Sequence, residues 1–172
     1  MRNQKGFTLI ELVVVIGILA ILAAFVFALL DPLTQFQKSD DGKRKFDLAQ
    51  VQRALEQYYQ DYGRYPQANG SYQILDSGGT PVPWGSTTTL WQRYMTVLPN
   101  DPLSPSRKYV YYVDTSGQKY WIYASLERGT KDPNVCTSGG SGICSSLTSN
   151  GISSTACGQK CNFGVSSPNV TP

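Results

Sequence analysis

The sequence predicts an α+β subunit. A long N-terminal helix, apolar in its first half and amphipathic in its second, packs on a small antiparallel sheet, and an irregular cysteine-containing tail follows. Three observations predict this. Residues 7–30 are apolar except for Thr8 and Glu11. Leu48, Val51, Leu55, Tyr58 and Tyr62 recur at spacings of three and four, which is one face of a helix. Residues 108–114 and 119–126 alternate and are rich in Tyr, Val, Trp and Ile, as the two strands of a hairpin do.

At ~1.5 Å per helical residue the apolar run reaches roughly 36 Å, enough to cross a ~30 Å hydrocarbon core with some tilt. Ahead of it stands a short basic leader, residues 1–6, ending in Gly6. Arg2 and Lys5 hold the N-terminus in the cytoplasm, so the remainder lies outside. An ordinary secretory signal has a shorter apolar core and an Ala-x-Ala-like site after it, and none occurs here before Asp31. A lipoprotein needs a cysteine just past the apolar run, yet the first is Cys136. A plain signal anchor stays open and gives the same orientation.

Glu11 is the anomaly in the run. A carboxylate deep in a membrane helix costs about 2.5–3.5 kcal/mol and is usually paired or employed. Near the helix start it also suits the positive end of the dipole, so a tolerated edge residue is the simpler account. Gly17, Ala20, Ala23, Ala24 and Ala28 supply small side chains for close helix approach, though each alone is ordinary membrane composition.

The string Gly6-Phe7-Thr8-Leu9-Ile10-Glu11 before a long apolar helix resembles the class III signal of type IV pilins and type II secretion pseudopilins. The resemblance implies cutting between Gly6 and Phe7 by a membrane prepilin peptidase, which then methylates the new Phe7 amine. It makes Glu11 the assembly carboxylate, neutralised by the Phe7 amine of a neighbouring subunit; buried charges persist when paired. The implied partners are identical or related subunits, the membrane and an assembly machinery. The implied location is the inner (cytoplasmic) membrane as a single pass, then an extracytoplasmic filament. Pilins often carry a proline inside the first helix, and here that feature is shifted to Asp31-Pro32.

Residues 33–42 read as polar chain, with Ser39-Asp40-Asp41 placed to cap a restarted helix. Lys43-Arg44-Lys45 reads as a solvated or subunit-facing patch; a DNA contact is its other reading. The amphipathic stretch runs to about Asp61, then Gly63 ends it and Pro66 prevents continuation. Its tyrosines, with Tyr65, suit core or interface packing, and the Tyr-Pro ending again resembles the pilin family. Residues 67–85 read as loop with one short strand near 72–75. Residues 89–97 read as a short helix or turn burying Leu90, Trp91 and Tyr94. Leu98-Pro99-Asn100-Asp101-Pro102 is similar to an element of major pseudopilins, with a tight-turn role. In the hairpin, Tyr109, Tyr111 and Val113 share one face and Val110 and Tyr112 the other.

Past Gly129 the composition shifts to Gly, Ser, Thr and Asn, and all four cysteines follow: Cys136, Cys144, Cys157 and Cys161. In an exported domain an even count favours two disulfides, with three pairings open. A tetrathiolate zinc site is the rival, and its spacing fits poorly. Major pseudopilins hold calcium in a C-terminal acidic loop. Here only Glu127 and Asp132 follow the hairpin, so calcium is not carried over.

The chain divides by these signals into a leader 1–6, a transmembrane or filament-core helix 7–30, an amphipathic helix with its end 31–66, a globular part 67–126 containing the hairpin 108–126, and a tail 127–172. The 172 residues contain no histidine, which removes Ser-His-Asp and Cys-His catalysis and most catalytic zinc sites. No phosphate loop or dinucleotide fingerprint occurs, and no acid pair stands out. The sequence therefore points away from an enzyme and calls for no cofactor or metal. Loss of Arg2 and Lys5 takes the net charge from +3 to +1, so no strong field favours nucleic acid. The expected function is a structural filament subunit of a type IV pilus or secretion pseudopilus. Two other readings stay open: an exported binding module on a plain anchor, and a DNA-binding pilin.

Overall fold

The computed structural model describes residues 6–86, 91–136 and 142–172. They fall into two compact units, Met1–Gln37 and Lys38–Pro172.

In the first unit, α1 (Leu9–Leu30) is apolar all round, with a mean hydropathy of 3.0 over Leu9–Phe27. It has no polar face to turn to water, and every side chain described on it is exposed. It is long and apolar enough to cross a membrane. Asp31 closes it in the left-handed region at φ 38°, and α2 (Pro32–Tyr62) begins at once. Asp31 also opens α2, because its carboxylate accepts from the Thr34 hydroxyl at 2.5 Å and the Thr34 N–H at 3.5 Å. Pro32 costs nothing at the first helical position, where the N–H has no partner to lose. Residues 33–42 are therefore helical rather than loose polar chain, and Ser39-Asp40-Asp41 lies inside the helix, not at its cap.

In the second unit, α2 buries Leu48, Val51, Ala54, Leu55 and Tyr58. Tyr62, placed on the same face by spacing, is 47% exposed and stacks on Tyr58 at 4.4 Å. Gly63, at φ 68°, donates its N–H to the Tyr59 carbonyl at 2.8 Å and ends the helix in a conformation other residues resist.

The sheet runs in the order β3 (Val110–Val113), β4 (Tyr120–Ala124), β5 (Phe163–Ser166), all antiparallel. A two-stranded ribbon pairs β1 (Ile74–Leu75) with β2 (Pro81–Val82). The hairpin register sets Tyr111 opposite Ile122 and Tyr112 opposite Trp121. Alternation then sorts the faces as expected. Tyr109, Tyr111, Val113, Tyr120, Ile122 and Ala124 join the α2 side chains, Trp91 and Leu98 in the main core. Val110, Trp121 and Tyr123 face the other way, onto the tail. Trp91 is fully buried and Tyr94 partly so, as expected, whereas Leu90 lies outside the described residues.

The tail is mostly turns, with a short helix at Ser146–Ser149, but its Phe163–Ser166 joins the sheet as an edge strand. Its cysteines form two bridges, Cys136–Cys144 and Cys157–Cys161.

Candidate functional site

The N-terminal segment presents its chemistry in the open. Gly6, Phe7 and Thr8 precede α1 without regular structure, and a Cβ placed on Gly6 would meet nothing within 4 Å. Thr8 caps α1 through a reciprocal pair of contacts. Its hydroxyl accepts the Glu11 N–H at 3.3 Å, and its own N–H donates to the Glu11 carboxylate at 2.9 Å. The Thr8 hydroxyl also donates to that carboxylate at 2.8 Å. Phe7, Ile10, Glu11, Val14 and Val15 line one shallow concavity of about 390 Å³. The carboxylate thus sits on an apolar stripe, beside the residue whose amine would be freed by a cut after Gly6. The leader cations Arg2 and Lys5 lie outside the described residues.

A second charged constellation lies on α2, where the sequence suggested a solvated patch. Arg44 has no exposed surface. Its Nε and Nη2 donate to the two oxygens of Asp101 at 2.8 and 3.0 Å, a bidentate pair. Its Nη1 donates to Asp41 and to Glu127, both at 2.9 Å. Asp41 in turn accepts the N–H groups of Glu127 and Arg128 at 2.7 and 3.0 Å. Burial works against the guanidinium's charge, but the bonds from Asp101 and Glu127 outweigh it and hold its pKa above the ordinary value. Three chain segments are thereby clamped together: α2, the turn at Asp101, and the stretch after β4. Lys45 is also engaged, on Asp132 at 2.7 Å and Asn134 at 3.1 Å. Only Lys43 of the basic triplet remains exposed. The triplet is an internal anchor, not a cationic patch.

The sequence contained a signal for this. Residues 41, 44, 48, 51, 55 and 58 continue one helical stripe, so Asp41 and Arg44 occupy positions that face the body.

Two acids beside the anchor respond to pH with opposite signs. Burial raises the Asp132 pKa, but the Lys45 ammonium and the Asn134 N–H overcome this and leave it below the ordinary value. A depressed folded pKa contributes stability above the unfolded value, which is lost as pH falls through the folded one. Asp47 is the reverse: burial raises its pKa, and the Tyr109 hydroxyl, donating at 2.8 Å, only partly offsets that. Its ionisation costs stability as pH rises through the raised value. Asp47→Asn keeps an acceptor for Tyr109 without the charge. It is expected to leave neutral-pH stability unchanged or raised by about 1 kcal/mol, and to remove this falling limb. Urea unfolding at pH 4 and pH 7 checks it, and a loss above about 2 kcal/mol at pH 7 would contradict it.

Among the described residues no cluster of three or more potential ligands is placed to hold a metal ion.

The prokaryotic N-terminal methylation motif matches residues 1–27. Type II secretion system core protein G of Klebsiella pneumoniae is 36% identical over 102 residues, 59% of this chain and 71% of the relative. The protein of the same name from Vibrio cholerae serotype O1 is 35% identical over 111 residues, 64% and 73% of the two chains. Fimbrial protein EcpC of Eikenella corrodens is 44% identical over 73 residues, 41% of this chain and 45% of that one. No solved structure matches the chain. The type II secretion system protein G model matches residues 32–136, from the start of α2 through Asp101, the hairpin and Asp132, and with that span the chain belongs to the protein G family.

Proposed function

We propose that the chain is a structural subunit of a type II secretion pseudopilus. It is made as a precursor, cut after Gly6 and methylated at Phe7. It is held in the cytoplasmic membrane by α1 with its N-terminus inside, and drawn into an extracytoplasmic filament. The observation that carries this reading is α1 itself, a wholly apolar helix with Glu11 on its first turn and an open Gly6-Phe7 junction just ahead. Such a helix needs an apolar surrounding at every stage, first lipid and then neighbouring copies of itself.

The Thr8 contacts give Glu11 a holding arrangement before assembly. Its carboxylate is satisfied within its own chain, so a lone subunit is not left with a bare charge. A neighbour's Phe7 amine then offers an opposite charge, a stronger partner in low dielectric than a hydroxyl. The body stays folded throughout, locked by the anchor around Arg44.

A DNA-uptake role has little left to stand on, because Arg44 is buried and Lys45 is committed to Asp132.

Gly6→Val tests the processing step. The junction has room for the side chain, so the fold should be unaffected. Immunoblotting is expected to show uncut precursor in the membrane and no mature band. Normal processing of this variant would remove the assigned signal.

A further inference from the structure

The tail covers the second face of the sheet, and half-cystines make up much of that cover. Val110, Trp121 and Tyr123 pack with Cys144, Leu147, Ile152, Cys157 and Cys161. Cys144, Cys157 and Cys161 have no exposed surface, whereas Cys136 is half-buried. Both bridges are local, joining residues 8 and 4 positions apart, so each can close in a tail that has not yet docked.

Once closed, the rings carry the contacts that seat the tail. The Cys157 carbonyl accepts the Lys108 N–H at 3.0 Å, at the start of the hairpin. The Cys144 N–H donates to the Cys161 carbonyl at 3.2 Å, and the Cys136 N–H to the Asn162 carbonyl at 2.7 Å. The buried Asn162 side chain holds both backbone groups of Leu126, at 2.7 and 3.0 Å, and β5 begins at the next residue. The fit is tight: a Cβ on Gly158 would lie 2.1 Å from the Ser106 carbonyl oxygen.

We propose that the tail is a thiol-oxidation site modified before it docks. A disulfide-bearing protein oxidant outside the cytoplasm closes Cys157–Cys161 in the open tail, and only the tail with that bridge then seats on the sheet. In the exchange two cysteine thiols give up two protons and two electrons. One S–S bond forms in the tail, and the oxidant's S–S bond becomes two thiols. For Cys157–Cys161 the reverse order is closed, because thiolate exchange requires an in-line approach to sulfur and both residues have no exposed surface in the docked tail. The seated tail then shields Cys157–Cys161.

The test uses the mature full-length chain in detergent micelles, with dithiothreitol as the probe and alkylated peptides read by mass spectrometry. Native Cys157–Cys161 is expected to be reduced at least about 100-fold more slowly than in urea, since attack must wait for the tail to open. Cys136–Cys144, with its half-buried Cys136, should yield first. Equal rates for Cys157–Cys161 in native and denatured chain would overturn the proposal. A second readout uses the double variant Cys157→Ser with Cys161→Ser. Amide exchange at residues 163–166 should accelerate about 100-fold while Leu48 and Leu55 of α2 stay protected. Unchanged protection at 163–166 would show that the tail docks without its bridge, and would also overturn the proposal.

Discussion

Arg44→Met is expected to remove about 3–5 kcal/mol of unfolding free energy, a large share of the ~5–15 kcal/mol a domain usually holds. The thioether fills much of the same space but leaves Asp41 and Asp101 buried without their cation. Each carboxylate keeps some backbone donors: Asp41 those of Glu127 and Arg128, Asp101 that of Leu103 at 2.8 Å. Those bonds do not supply a countercharge, so desolvation of the two anions is uncompensated. The stretch after β4 should loosen first, since both Arg44 and Asp41 hold it to α2. Lys43→Met, one position away and exposed, should change stability by less than about 0.5 kcal/mol. Urea unfolding of the two variants side by side measures this. Similar small losses for both would mean that the anchor carries no special weight.

Glu11→Ala is expected to abolish filament assembly, or nearly so, while leaving insertion, cleavage and the folded body intact. Glu11 belongs to the first unit, where its carboxylate and its N–H bond to Thr8. The loss arises in the fibre, where a Phe7 amine would enter an apolar bundle without its carboxylate. Leaving one member of a buried pair uncompensated costs about 3–5 kcal/mol per subunit contact. Repeated along a polymer, a deficit of that size stops growth. Sheared-fibre yield is compared with total inserted protein in wild type and variant. Equal yield at equal inserted protein would return Glu11 to a tolerated residue at the membrane edge.

Those two residues mark how far the sequence could be read. Glu11 stands out in the sequence because a charge inside an apolar run is a local anomaly that needs no tertiary knowledge. The hairpin was legible for a similar reason: alternation at 108–113 and 119–124 assigns both faces before any partner is known. Arg44 was not, because a basic triplet is ordinarily solvated, and only the partners 57 and 83 residues away make burial possible. Its place on the stripe with Leu48 and Val51 was visible, but charge outweighed spacing. The start of α2 was misplaced although Asp31-Pro32 is a cap followed by a first-turn proline, since the polar run after it suppressed the helical signal. Strand β5 has only Phe163 and Val165 as apolar residues. Pairing with β4 creates it, and no local pattern announces it. The cysteine pairing was open among three choices, and the neighbouring positions that the tail's turns impose select the local one.

A processed subunit carried into a fibre by its first helix must begin at a methylated Phe7. The most direct measurement is the mass of the N-terminal peptide from the chain recovered in sheared fibres. A peptide starting at Phe7 and heavier by one methyl group is the expected result. A peptide still starting at Met1 would contradict the account.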